Sequence, residues 1–291
     1  MPVPEPVAKR TRSFDGTEIA YHVAGKTGPF MVLVNGLGAD TTAWRHQVAY
    51  LGDQFRFLSW DYRGLHASHD ESEPRPVPGP PVEVHAQDLA AIVSAEGVSG
   101  GVWMGWSIGA QVMIEALRRH DVRPDLMILV NPCYGRRSSE VSRLRRLLPH
   151  ALWTLERAPE LVERLMKRAA TWPETVSWLK RFGFVAPCID EDALGEVVRH
   201  FRTIHAPAYI DAVRASSHHR IDGMLGAVDV PVLAIVGEKD IVTPRPFAEP
   251  LARQIPSVEL FVIRGATHYV LLEFPELVNL RVEKFLREHG M

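Results

Sequence analysis

The sequence predicts an α/β fold, with a mostly parallel central sheet flanked by helices and an inserted helical segment. Three observations predict it. Short continuous apolar runs such as Phe30-Met-Val-Leu-Val34 and Leu126-Met-Ile-Leu-Val130 have the length and uniform apolarity of strands buried on both faces. These runs alternate with stretches of helical period, as βα units require. From 134 to 221 no strand run of comparable strength occurs, and Pro149, Pro159, Pro173, Pro187 and Pro207 divide that stretch into short helices.

The elements follow in order. Phe14-Asp15-Gly16-Thr17 sits between two alternating stretches, the second spanning 18–23, and predicts a hairpin turning at Asp-Gly. Phe30–Val34 is a buried strand bounded by Gly28-Pro29 and Asn35-Gly36. A helix over 41–51, with Asp40 or Thr41 as N-cap, and a strand over 55–60 come next. Five prolines make 71–81 a loop. A helix over 82–96 ends at Gly97, a strand covers 101–104, a helix covers 108–119 and another strand covers 126–130. Beyond the helical stretch, strands at 232–236 and 258–263 flank a helix ending near Ile255, and an amphipathic helix over 275–288 closes the sequence.

Composition sets the bounds. A chain of 291 residues is about twice the commonest domain length of ~100–150 residues, so a large domain carrying an insertion fits. With 46% hydrophobic and 23% charged residues the chain is not a disordered one. Lys and Arg number 33 against 35 Asp and Glu, and this balance speaks against a general nucleic-acid binder. Two cysteines, Cys133 and Cys188, cannot make a disulfide framework, so a reducing compartment is the default. No uncharged run reaches the roughly 18 residues of a membrane span, and the first ten residues lack the apolar core of a signal peptide. The expectation is a cytoplasmic monomer or homodimer with no nucleic-acid partner and no integral membrane segment.

The chemistry centres on Gly105-Trp106-Ser107-Ile108-Gly109, a GxSxG pattern at the end of one predicted strand and the start of a helix. A nucleophilic serine on so sharp a turn needs small neighbours two residues to either side. The helix start turns main-chain N–H groups toward the site. A base is needed as well. Among 13 histidines, His268 follows the last strand and Asp240 follows the one before it, so both fall in loops at the C-terminal ends of parallel strands. The order Ser, Asp, His suits this topology. Glu238, two residues earlier, is the rival acid.

These motifs resemble the α/β-hydrolase superfamily, of the serine esterase and C–C hydrolase type with a helical cap. The likeness covers most of the chain outside 134–221. Val34-Asn35-Gly36-Leu37-Gly38 is similar to the family's oxyanion loop, with Asn35 in place of the usual His. Asp61-Tyr62-Arg63-Gly64-Leu65-His66-Ala67-Ser68 is similar to its Asp-x-Arg-Gly-x-Gly-x-Ser turn, with His66 in place of Gly. The resemblance implies a core of 1–133 and 222–291 and a cap of 134–221 over Ser107. It makes Ser107 the nucleophile, His268 the base, Asp240 the orienting acid, and the N–H groups of Leu37 and Ile108 the oxyanion hole. Serine rather than aspartate at 107 speaks against the dehalogenases and epoxide hydrolases of the same fold.

The implied activity is hydrolysis of a small to medium lipophilic carboxylic ester through an acyl-enzyme, with no cofactor and no metal. A C–C hydrolase, thioesterase, acyltransferase or perhydrolase would use the same triad, and a ligand receptor of this fold stays open as a different class. Trp106, Asn35, Trp153 and Trp178 are the expected substrate-binding residues, whereas Trp103 belongs in the sheet core. The adjacent His218 and His219 read as a solvated pair, because neighbouring side chains on a helix point apart. Cys133 reads as buried packing. Residues 134–168 carry a local net charge of +5, the mark of a solvated helix face.

Overall fold

The computed structural model describes residues 5–69, 81–119, 122–133, 159–221 and 223–291. Trp153, Pro149 and all but the last residue of the proline-rich loop lie outside the described residues, as does most of the basic stretch. Strands β1 (Val7–Arg12), β2 (Glu18–Ala24), β3 (Phe30–Val34), β4 (Arg56–Trp60), β5 (Val102–Trp106), β6 (Leu126–Val130), β7 (Val232–Gly237) and β8 (Val258–Ile263) form one sheet in the order β1-β2-β4-β3-β5-β6-β7-β8. The β1–β2 and β2–β4 pairs are antiparallel and every other pair is parallel. β1 pairs only with β2 and is exposed almost throughout; its Lys9, Arg10 and Arg12 discourage pairing with another chain.

Alternation along each strand divides the core in two. Val32 and Val34 of β3 join Trp103, Met127, Leu129 and Ala234 on one face, under α2 (Val82–Ala95) and α3 (Ile108–Arg119). Met31 and Leu33 join Met104, Ile128, Leu233 and Ile235 on the other. There Leu51 of α1 (Arg45–Leu51) joins the C-terminal helix Pro275–Glu288, which contributes Val278, Val282 and Phe285. The described part of the segment after β6 contains the helices α4 (Pro159–Thr171), α5 (Thr175–Arg181), α6 (Glu191–His200) and α7 (Ala206–His218), joined by turns. It packs on the sheet domain, with Ile204 and Ala208 in the first core cluster and Leu194 and Val197 in the second.

Three boundaries differ from the sequence expectation. The 41–51 helix divides into a 3-10 turn, Thr41–Trp44, capped by Asp40 accepting from the Thr42 N–H (3.0 Å), followed by α1. β5 runs on to Trp106, so the first glycine of GxSxG lies inside the strand. Pro159 and Pro207 do not break helices; they stand in the first turns of α4 and α7, where a missing N–H costs nothing. Helix α8 (Glu249–Gln254) lies between β7 and β8, and after β8 the chain forms a short α9 (Val270–Glu273) and α10 (Pro275–Glu288). Four residues are too few for periodicity to reveal α9.

One buried group sets a pH dependence for the fold. His85 on α2 is 1% exposed against the Tyr62 ring (centroids 4.7 Å), and neither of its ring nitrogens has a hydrogen-bond partner among the described residues. Burial pushes its pKa down to about 4. As pH falls below ~6.5 the unfolded chain gains a proton that the fold refuses, so stability drops until about pH 4 and then levels off. Urea unfolding at pH 7.5 and pH 5.0 is expected to show wild type losing about 2 kcal/mol more than His85→Leu. Equal losses would show that His85 is not the source.

Candidate active site

Ser107 occupies the turn between β5 and α3 with φ 57°, a left-handed conformation for a residue carrying a Cβ. Main-chain bonds fix it there: its N–H donates to Val130 O (2.9 Å), and its carbonyl accepts from Ala110 N (3.2 Å) and Cys133 N (3.1 Å). The flanking glycines answer to close approach. A Cβ on Gly105 would overlap Met113 Sδ, and one on Gly109 would overlap the Val34 carbonyl, so α3 could not sit this near β3.

His268 follows β8, and its Nδ1 donates to Asp240 Oδ2 (2.7 Å). Both oxygens of Asp240 accept twice. Oδ1 takes the N–H groups of Val242 (2.7 Å) and Thr243 (2.8 Å), and Oδ2 takes His268 and the Thr243 hydroxyl (2.7 Å). Burial raises the Asp240 pKa, but the His268 charge and these hydrogen bonds outweigh it and leave the carboxyl below its ordinary range. Glu238 goes elsewhere: its Oε2 accepts from the Gly265 N–H (3.0 Å) at an exposed position.

Two residues that the motifs did not single out hold this arrangement. Asn131, the first residue after β6, is fully buried at φ 42°. Its Nδ2 donates to the carbonyls of Thr267 (2.9 Å) and His268 (3.0 Å), while its Oδ1 accepts from Gly237 N (2.7 Å). One side chain thus ties the end of β7 to the His268 loop. Glu273 of α9 accepts from the N–H groups of Thr267 (2.7 Å) and Ala186 (2.8 Å), linking that loop to the helical segment. Asn131 had one readable signal, its place beside Ser107 and Asp240 at the C-terminal edge of the sheet; Glu273 had none.

Ser107 and His268 line one cavity of about 400 Å³. The sheet domain supplies Gly36, Leu37, Trp106 and Ile108, and the helical segment supplies Phe184, Phe201, Tyr209 and Val213. Among the described residues no Lys, Arg, Asp or Glu lines it. The main-chain N–H groups of Leu37 and Ile108 donate to no protein acceptor among the described residues. Trp106 is in the wall, its Nε1 donating to His268 O (3.0 Å). A hollow of about 530 Å³ under Thr41, Arg45 and His46 contains none of these groups.

Several sequence expectations need correction. Asn35 does not face substrate. It is 1% exposed, Nδ2 donates to Trp60 O (2.7 Å), Oδ1 accepts from Trp44 Nε1 (2.7 Å), and its carbonyl accepts from the Tyr62 hydroxyl (2.7 Å). Its side-chain amide and its carbonyl pin the loop after β3 to its surroundings. Trp178 is 44% exposed, stacked on Phe182 and beside Trp172, and is not part of the cavity wall. Trp153 lies outside the described residues. Cys133 is half-buried and in the wall rather than packed in the core. The His219 side chain is largely buried near Glu83 and Glu115, not solvated, and no metal-holding cluster occurs among the described residues. His66 adopts φ 46°, held by Nε2 donating to Gly38 O (3.2 Å) and by Nδ1 lying 2.9 Å from Thr203 Oγ1.

A hydroxyl on a helix N-terminus, an imidazole oriented by a buried carboxylate and two free N–H groups around one cavity are the parts that acyl transfer requires. Comparison with known proteins finds hydrolases and esterases. Over 270 residues (91% of this chain, 97% of the relative) the sequence is 27% identical to the "Putative carbamate hydrolase RutD" of Agrobacterium fabrum (strain C58). It is 25% identical over 253 residues (85% and 90%) to the pimeloyl-[acyl-carrier protein] methyl ester esterase of Vibrio atlanticus (strain LGP32). A thermophilic esterase from Thermogutta terrifontis superposes with a TM-score of 0.71 at 26% identity, covering 99% of this chain and 100% of that one. Residues 31–281 match the model of the family described as the alpha/beta hydrolase family, and the chain belongs to that family.

Proposed function

We propose that this protein is a serine hydrolase that cleaves small to medium, lipophilic, uncharged carboxylic esters through an acyl-enzyme on Ser107. The observation that carries this reading is the Asp240–His268 hydrogen bond, made on the wall of the same uncharged cavity that Ser107 enters. His268 takes the Ser107 proton as Oγ attacks the ester carbonyl. The N–H groups of Leu37 and Ile108 hold the oxyanion, His268 returns the proton to the leaving alcohol, and water then releases the acid. The residues need no cofactor for this sequence of steps. Relatives named as esterases support the reading. Residues 134–221 act as a cap, a role supported by the share of the cavity wall that comes from Phe184, Phe201, Tyr209 and Val213.

An apolar wall rewards acyl length. Each added CH₂ contributes up to ~0.8 kcal/mol, close to fourfold, until the cavity is full. For p-nitrophenyl esters from acetate to octanoate, kcat/KM is expected to climb over a few carbons and then fall at a steric limit. A flat profile would count against a closed apolar cavity. Release of p-nitrophenol that stops after one equivalent would favour a ligand receptor.

A further inference from the structure

Most polar side chains at the cavity wall already have protein partners. Ser216 and Ser217 donate back to the carbonyls of Val213 (2.9 Å) and Arg214 (2.8 Å), and Thr243 donates to Asp240. Tyr209 and Tyr269 differ: both line the cavity, and among the described residues neither phenol hydroxyl has a hydrogen-bond partner. Their rings are firmly placed. Tyr209, on α7, packs edge-on against Phe201 (centroids 5.9 Å). Its Cε2 lies so near the loop after β3 that a Cβ built on Gly38 would come within 2.9 Å of it. The hydroxyl-bearing carbon is one bond from that atom, so the phenol sits beside the Leu37 N–H loop. Tyr269 stands perpendicular to the His268 ring (6.2 Å) and edge-on to Trp106 (5.6 Å). Burial raises the pKa of both phenols, so both remain protonated donors.

A buried donor left without an acceptor is costly, and filling this cavity with a purely hydrocarbon substrate would strip water from both hydroxyls. We propose that Tyr209 and Tyr269 form a recognition subsite that donates hydrogen bonds to an uncharged oxygen of the substrate outside the scissile ester group. The preferred substrate is then an ester bearing a further hydroxyl, ether or keto oxygen. A second carboxylate is disfavoured, because the described wall offers no cation to replace its hydration. This inference rests on the catalytic role proposed for Ser107.

The test compares esters that differ by one CH₂-to-oxygen exchange. Suitable pairs are p-nitrophenyl butyrate with methoxyacetate, p-nitrophenyl pentanoate with 3-methoxypropanoate and, on the alcohol side, butyl with 2-methoxyethyl acetate. Alkaline hydrolysis rates of the same esters correct for intrinsic reactivity. Wild type is expected to favour at least one oxygen-bearing partner by about tenfold in kcat/KM. In Tyr209→Phe or Tyr269→Phe that ratio is expected to collapse toward one, with the oxygen-bearing ester losing rate and the alkyl ester gaining it. A merely structural role would lower both partners together and leave the ratio intact. An unchanged ratio in both variants across all three pairs overturns the subsite, as does a wild type with no preference. Fluorophosphonate labelling is run in parallel: failure to label Ser107 in wild type would sink the catalytic reading, whereas intact labelling with unchanged ratios sinks only the subsite.

Discussion

Ser107→Ala is expected to lower ester turnover by at least ~10⁴-fold while the protein stays folded, with Tm within a few degrees of wild type. Oγ supplies the bond-making atom, and Ser107 shares its cavity wall with His268, Leu37 and Ile108. Stability should barely change, because alanine and serine bear the same Cβ and so meet the same strain at φ 57°. Ser107→Gly provides the complementary result. Relief of the left-handed strain exceeds the added chain entropy by up to about 1 kcal/mol, so this variant is expected to be inactive yet slightly more stable. Turnover of p-nitrophenyl butyrate and thermal melting read both effects. A folded, active Ser107→Ala enzyme would remove Ser107 from the mechanism.

Asp240→Asn is expected to reduce kcat by roughly 10³–10⁴-fold, whereas Glu238→Gln should change it by less than about twofold. Both Asp240 oxygens accept two hydrogen bonds, so an amide nitrogen placed at either position faces two donors. The main-chain N–H groups at Oδ1 cannot turn away, so the nitrogen takes the Oδ2 position and the imidazole loses the acceptor that fixes its tautomer and orientation. Glu238 makes one exposed bond to the Gly265 N–H, and a glutamine oxygen accepts that bond equally well. Steady-state kinetics of the two variants decide the matter; the reverse ranking would assign the acid to Glu238.

How much could be read without the structure differs by scale. Strands β3, β5, β6 and β7 were legible because each is a short, mostly apolar run set by burial on both faces, whereas β4 and β8 carry polar residues among apolar ones. The Ser107 turn was legible as well, since two glycines two residues away answer a steric demand that is local in the chain. Asp240 stood ahead of Glu238 through the resemblance, with no local pattern to separate the two. They stand two residues apart in one loop, and only the approach of His268, 28 residues on, shows which carboxylate receives its N–H. Asn35 looked available to substrate because its type is polar and its loop catalytic, yet Trp44 and Trp60 take up its amide. Trp153 and Trp178 were the expected aromatics of the insertion; Trp153 lies outside the described residues, Trp178 is off the wall, and Phe184, Phe201 and Tyr209 line it.

The sequence by itself determined the α/β class, the strands and the residue types that can carry acyl transfer, because apolar run length, alternation and tight-turn sterics act between neighbours in the chain. Only the tertiary structure decided which carboxylate serves His268, which side chains enclose the cavity, and that Asn131 and Glu273 brace the histidine loop. Apart from the Thr267–Glu273 bond, which spans six positions, the hydrogen bonds of Asp240, Asn131 and Glu273 to His268, its loop and Ala186 join residues 28 to 137 positions apart. No local pattern encodes such pairings; they follow from how the helices and the sheet pack.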